Sequence, residues 1–161
     1  MPTAPEVGEH VGDFALPGGV FTGASFERRD FTLCQQRGFP LVLVFHQGDD
    51  TAACTERLCS YSNSLEMFPE HGPRVWGISP RSVDSHEAFA RKHDLRIPLL
   101  SDAGRDVARS FGMSASGVEH RQAVFLIAPD GTLHWKRVSL LGAPLPSLTT
   151  LSRHLAAIQG G

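Results

Sequence analysis

Short apolar runs alternate along this chain with longer polar stretches that carry apolar residues at helical spacing. Leu41-Val42-Leu43-Val44-Phe45 has no polar member, and its length predicts a strand buried on both faces. Val75-Trp76-Gly77-Ile78-Ser79, Ile97-Pro98-Leu99-Leu100 and Ala123-Val124-Phe125-Leu126-Ile127 predict three more strands. Pro98 puts its run at a strand start or edge, since proline has no N–H to give to a ladder. Pro129-Asp130-Gly131 leads into Thr132 to Val138, and Asp-Gly between strand-like runs signals a hairpin. Helices are predicted from about Ala53 to Met67, stopped before Pro69, and from the capping residues Ser82 to Glu87 onward. Asp102 to Phe111, closed by Gly112, and Pro146 to Gln159 complete the helical set. Gly8 to Gly23, with Phe14, Leu16, Val20 and Phe21, reads as an N-terminal hairpin or loops. The order β-α-β-α-β-α-β-β-α implies an α/β sandwich: a mixed sheet with helices on both faces.

The chain has 161 residues, 41% of them hydrophobic, which suits one globular domain over residues 1–161. A net charge of −2 gives no reason to expect nucleic acid or an anionic membrane as partner. Three cysteines, an odd and small number, argue against a secreted disulfide scaffold. Met1 to Gly12 is polar, and no apolar run reaches bilayer length. The expectation is a soluble cytoplasmic protein. The eight histidines show no metal-ligand spacing, so no metal site is expected.

Candidate chemistry gathers between Gln47 and Cys59. Cys54 falls in or just before the first turn of the helix after Leu41–Phe45, where backbone N–H groups and the helix dipole favour a thiolate. Cys59 follows five residues later. On one intact helix that spacing means about 7.5 Å of rise and roughly 140° of rotation, hence Cα atoms roughly 9 Å apart. A disulfide bridges no more than about 7 Å, so the two could join only after local unwinding. Thr51 suits an N-cap as well as a reacting hydroxyl. His46 reads as a strand-end residue, and Cys34 as a buried structural thiol.

From about Val7 to Ile158 the chain resembles the peroxiredoxins, in particular the bacterioferritin comigratory protein (peroxiredoxin Q) branch of the AhpC/TSA superfamily. Thr51-x-x-Cys54 carries the resemblance, with Cys59 at plus five. Gly12-Asp13-Phe14-Ala15-Leu16-Pro17, Gly77-Ile78-Ser79-Pro80, Pro98-Leu99-Leu100-Ser101-Asp102 and Ala123–Ile127 with Asp130-Gly131 support it. The resemblance implies a thioredoxin-like fold and reduction of hydrogen peroxide or organic hydroperoxides without a cofactor. It also implies Cys54 as the attacking thiolate, Cys59 as the resolving thiol, and Thr51 and an arginine as donors to the peroxide oxygens. A thioredoxin or similar dithiol reductant would be the partner, and the branch implies a monomer.

The chain departs from the family pattern at three places. Gln47 stands where members usually have proline. Arg57 stands two before the second cysteine, where glutamate is usual. The family's second-strand arginine lies three before the strand phenylalanine, and counting back from Phe125 lands on Gln122, with Arg121 one further. Strand neighbours face opposite ways, so the offset matters; Arg121 is the expected catalytic arginine, and a bulge could swing it back to the site. Otherwise Gln122 or Arg57 would serve. These departures leave a second function open, a slow or non-catalytic redox sensor or chaperone on the same fold.

Overall fold

The computed structural model describes residues 6–36, 38–46, 59–61, 74–112, 121–140 and 146–159. Seven strands form one sheet in the order β2-β1-β5-β4-β3-β6-β7. They are β1 (Ala15–Phe21), β2 (Phe26–Thr32), β3 (Leu41–Phe45), β4 (Arg74–Ser79), β5 (Leu99–Ser101), β6 (Arg121–Ile127) and β7 (Leu133–Leu140). Strands β3, β4 and β5 run parallel, whereas β6 pairs antiparallel with β3, and β7 with β6. Every residue of β3 is buried. Its unbroken apolar run is what a strand covered on both faces requires.

Alternation along the strands divides the core in two. Val42, Val44, Val124 and Leu126 point to one face, where Phe89 and Ala90 of helix α1 (Val83–His93) and Leu151 and Leu155 of helix α3 (Leu148–Gln159) cover them. Leu43, Phe45, Ala123 and Phe125 point to the other, against Val107 of the short helix α2 (Asp106–Ser110) and Phe111. Phe45, Phe111 and Phe125 meet there with ring centroids 4.9 to 5.6 Å apart. Such aromatic pairs add about 0.5–1.5 kcal/mol each beyond the area they bury.

The structure moves several expected boundaries. The hairpin is β1–β2, displaced from Gly8–Gly23: residues 6–14 form no strand of it, and His10 bridges Thr132. Strand β2 carries the exposed charged run Glu27-Arg28-Arg29-Asp30, which hides its strand character, and only Phe31 is buried. It is an edge strand, where charge on both faces is tolerated and discourages pairing with other chains. The helix expected over Asp102–Phe111 is shorter, because Arg105 takes a left-handed φ of 60° and breaks it. The residue at the N-cap position is Arg105, and the buried Asp102 carboxylate reaches the first turn instead, accepting from the Val107 and Ala108 N–H groups at 3.3 and 2.9 Å. Ser82 caps α1 as expected, accepting from Ser85 N at 3.1 Å. Pro98 lies just before β5. The helix expected over Ala53–Met67 falls outside the described residues except at 59–61, which are helical. Among the described residues, no helix is long and apolar enough to cross a membrane.

Candidate active site

Strand β3 delivers the chain to the site. Its carboxyl end is continued by His46, 3% exposed, whose N–H donates to the Ile78 carbonyl at 2.9 Å. Gly77 of the neighbouring strand makes room for this ring: a Cβ there would lie 3.3 Å from His46 Nε2 and 2.8 Å from Leu99 Cδ2. The His46 and His86 rings lie 6.2 Å apart. His86 is fully buried, with Nε2 3.1 Å from the Leu100 carbonyl and 3.4 Å from Ser79 Oγ. A carbonyl can only accept, so the bond to Leu100 puts the hydrogen on Nε2. His46 is thus a packed strand-end residue, as its sequence position suggests. His86 was not legible as a core residue, because a histidine on a helix reads as polar.

Thr51 and Cys54 lie outside the described residues. Cys59 lies inside them: it is helical, half-buried and packed against the core cluster of Val42, Val44, Leu151 and Leu155. Burial pushes its thiol pKa up, which keeps the sulfur protonated. Two residues on, Tyr61 is fully buried, and its hydroxyl donates to the Pro146 carbonyl just ahead of α3. That bond ties residues 59–61 to the last helix, a link between distant segments that no sequence pattern announces.

The register of β6 bears on the arginine question. Pairing with β7 runs in step from Arg121↔Leu140 to Leu126↔Trp135, and the irregularity falls at Leu126/Ile127, away from Arg121. Gln122 therefore keeps the parity of Val124 and Leu126, on the face where Cys59 and Tyr61 pack. It is 8% exposed. The Arg121 side chain and Arg57 lie outside what is described.

Cys34 corrects the expectation of a buried structural thiol. It is exposed, on a 3-10 turn (Leu33–Gln36) that turns Leu33 inward instead. Its backbone N–H donates to Asp13 Oδ1 at 2.9 Å. A small depression lined by Asp13, Cys34, Phe39 and Leu41 lies beside it, at the amino end of β3 and away from the site. Among the described residues, no three metal-ligating side chains converge.

The sheet order, with helices on both faces and a thiol-bearing helix after β3, defines a thioredoxin-like α/β sandwich. The AhpC/TSA family model matches residues 7–136, and the chain belongs to that family. Peroxiredoxin Q, chloroplastic, of Sedum lineare is 40% identical over 93 residues, 58% of this chain and 50% of that protein. Its counterpart from Gentiana triflora is 31% identical over 140 residues, 83% of this chain and 64% of that one. The chain thus spans between half and two thirds of the length of these relatives. Reduced Plasmodium vivax 2-Cys peroxiredoxin shares the fold with a TM-score of 0.80, at 22% identity over 96% of each chain. Mycobacterium tuberculosis AhpC does so with a TM-score of 0.83, at 19% identity over 98% of this chain and 94% of that one.

Proposed function

We propose that this chain is a thiol-dependent peroxidase acting on hydrogen peroxide or organic hydroperoxides. The Cys54 thiolate attacks the terminal peroxide oxygen. An S–O bond forms as the O–O bond breaks, and water or an alcohol leaves with a proton. The Cys54 sulfenic acid then condenses with the Cys59 thiol, forming the disulfide and releasing water. A dithiol reductant of thioredoxin type returns two electrons by thiol–disulfide exchange. The small cysteine count favours a reducing compartment.

The observation that carries this reading is the state of Cys59, a half-buried thiol in a helical stretch that packs against the core, its pKa pushed up by burial. A neutral thiol does not compete for peroxide, which leaves attack to Cys54, and Cys59 takes part in the second step once its segment opens and its thiol can ionise. Family membership and the Thr51-x-x-Cys54 pattern support the assignment of Cys54.

Thiolate formation alone is a modest gain. A cysteine at a pKa of about 8.5 is roughly 5% thiolate near neutrality, so complete ionisation gives only about twentyfold. The rest must come from donors that strengthen as the O–O bond breaks, each tenfold lowering the barrier by about 1.4 kcal/mol. Thr51 and the backbone N–H groups near Cys54 are proposed as donors, with Arg121 or Gln122 as the side chain from β6. The unbulged register favours Gln122. Its neutral amide stabilises developing charge less than a guanidinium would, which favours a slow peroxidase and keeps a sensor as the second reading.

Intact mass spectrometry after one equivalent of peroxide tests the assignment. A loss of two hydrogens mapping to Cys54–Cys59 is expected, and in Cys59→Ser a gain of one oxygen at Cys54. An unchanged mass, or oxidation centred on Cys34, would overturn it. Catalytic turnover with a dithiol separates the peroxidase from the sensor.

A further inference from the structure

Charge is unevenly spread over this molecule. Strands β6 and β7 and helix α3 contain no aspartate or glutamate, although the chain has 17 such residues and a net charge of −2. They carry His134, Lys136 and Arg137 on β7, and Arg153 and His154 on α3. Several cations elsewhere meet carboxylates: Arg28 bridges Asp84 and Glu87, Arg91 meets Glu87, Arg96 meets Asp94, and Lys136 lies 3.7 Å from Glu6. Arg137 and Arg153, both exposed, meet no carboxylate among the described residues.

This basic face is built on a fixed platform. Trp135 is half-buried against the same core cluster as Cys59. The His154 ring stacks on it at 4.3 Å with 19° between planes, and the Arg137 guanidinium lies 5.2 Å from its centroid. His154 is held below the ordinary histidine pKa, first by burial and then by Arg153, His134 and Arg137, all of like sign.

The face also lies on the same side of the sheet as Cys59, packed against the same core cluster. Arg137 pairs with Val124, which pairs with Val44, two residues short of His46 at the carboxyl end of β3. Strand β7 is two strand spacings, about 10 Å, from β3. His154 is about 9 Å of helix rise from the start of α3, where Pro146 receives the Tyr61 hydroxyl. A protein partner typically covers about 800 Å², a disc some 30 Å across, which spans both the basic face and Cys59.

We propose that the Arg137–Trp135–His154–Arg153 face docks the dithiol reductant, a protein that presents carboxylates around its own thiols. The inference rests on the peroxidase reading above. Unpaired guanidinium groups beside the site draw in an acidic partner and orient it, an effect that salt weakens. The docked reductant's thiolate then attacks one sulfur of the Cys54–Cys59 disulfide, and its second thiol displaces the resulting mixed disulfide. Two electrons pass to the enzyme, and the reductant leaves as a disulfide.

The test follows peroxide consumption by the full chain, driven either by an acidic thioredoxin with its reductase or by dithiothreitol. In the double variant Arg137→Glu with Arg153→Glu, kcat/KM for thioredoxin should fall by roughly tenfold or more at low salt, with the deficit shrinking at high salt. The dithiothreitol rate should hold, and Arg137→Lys with Arg153→Lys should keep most of the thioredoxin rate. An unchanged thioredoxin kcat/KM, or equal losses with both reductants, would overturn the docking surface. So would charge reversal that abolished binding to duplex DNA or anionic vesicles while sparing thioredoxin. No dithiothreitol-driven turnover in the unaltered protein would instead overturn the peroxidase reading.

Discussion

Replacing Tyr61 by phenylalanine removes the hydroxyl that ties the segment carrying Cys59 to the residues just ahead of α3. The ring stays in its fully buried place, and only the hydroxyl that donates to the Pro146 carbonyl is lost. A buried hydrogen bond is worth about 0.5–1.5 kcal/mol net, and a carbonyl left without its donor moves the cost toward about 1–3 kcal/mol. Taking about 1.4 kcal/mol, residues 59–61 should open roughly tenfold more often in Tyr61→Phe. Native-state hydrogen exchange of the peptide containing 59–61 reads that change directly. Amides of β3 should respond only through global unfolding, which a urea titration measures separately. If opening limits the second chemical step, disulfide formation after peroxide accelerates by up to the same factor, and Cys54 overoxidises less at high peroxide. Unchanged exchange at 59–61 would refute the view that the Tyr61–Pro146 bond restrains this segment.

Gly77→Ala would place a Cβ 2.8 Å from Leu99 Cδ2 and 3.3 Å from His46 Nε2. Overpacking of about 1–3 kcal/mol is expected in urea unfolding, and a neutral or stabilised variant would contradict the account of His46 packing. His154 is held below its ordinary pKa, so its contribution to stability is full above the unfolded histidine value near 6.5 and is lost as pH falls through that range. His154→Gln should flatten the fall in stability on the acid side of neutrality, and an unchanged slope would refute the sign. Of the two cysteines whose surroundings are described, Cys34 is exposed, whereas Cys59 is half-buried with a raised pKa. Iodoacetamide at mildly alkaline pH should label Cys34 well before Cys59 in peptide maps, and equal rates would contradict the burial of Cys59.

The parts of the fold that sequence made legible are those where one period dominates. Leu41–Phe45 and Ala123–Ile127 are buried on both faces, so their apolar runs are unbroken and read as strands. Ser82 and its helix were legible because a cap has local chemistry. Strand β2 was not, since its four central residues are exposed and charged and its identity comes from pairing with β1. Nor was the late start of α2, which depends on Arg105 adopting a left-handed φ. At the candidate site, sequence marked Cys59 and raised the Arg121/Gln122 question. The step-by-step register against β7 is a tertiary fact that only the sheet supplies. Cys34 was misread because a cysteine next to an apolar strand suggests burial, while the turn at Leu33–Gln36 decides which of two neighbours faces inward.

The burial of Cys59 couples two requirements of the proposed cycle. While the sulfur packs against the core its thiol stays protonated, so it neither consumes peroxide nor attacks a sulfenic acid. Opening of residues 59–61 moves that sulfur into water and removes the desolvation that raised its pKa, so reach and nucleophilicity rise together. A restraint on opening therefore sets how long a Cys54 sulfenic acid persists before it is resolved. If Gln122 rather than an arginine faces the reaction, the first step is slow as well. The two rates then decide the function between them: slow attack with fast opening gives a modest peroxidase, and slow attack with slow opening gives a long-lived oxidised signal. Measuring both rates in the unaltered protein and in Gln122→Arg distinguishes the cases, since a guanidinium on the Cys59 face should quicken peroxide attack and leave the opening rate of residues 59–61 where it was.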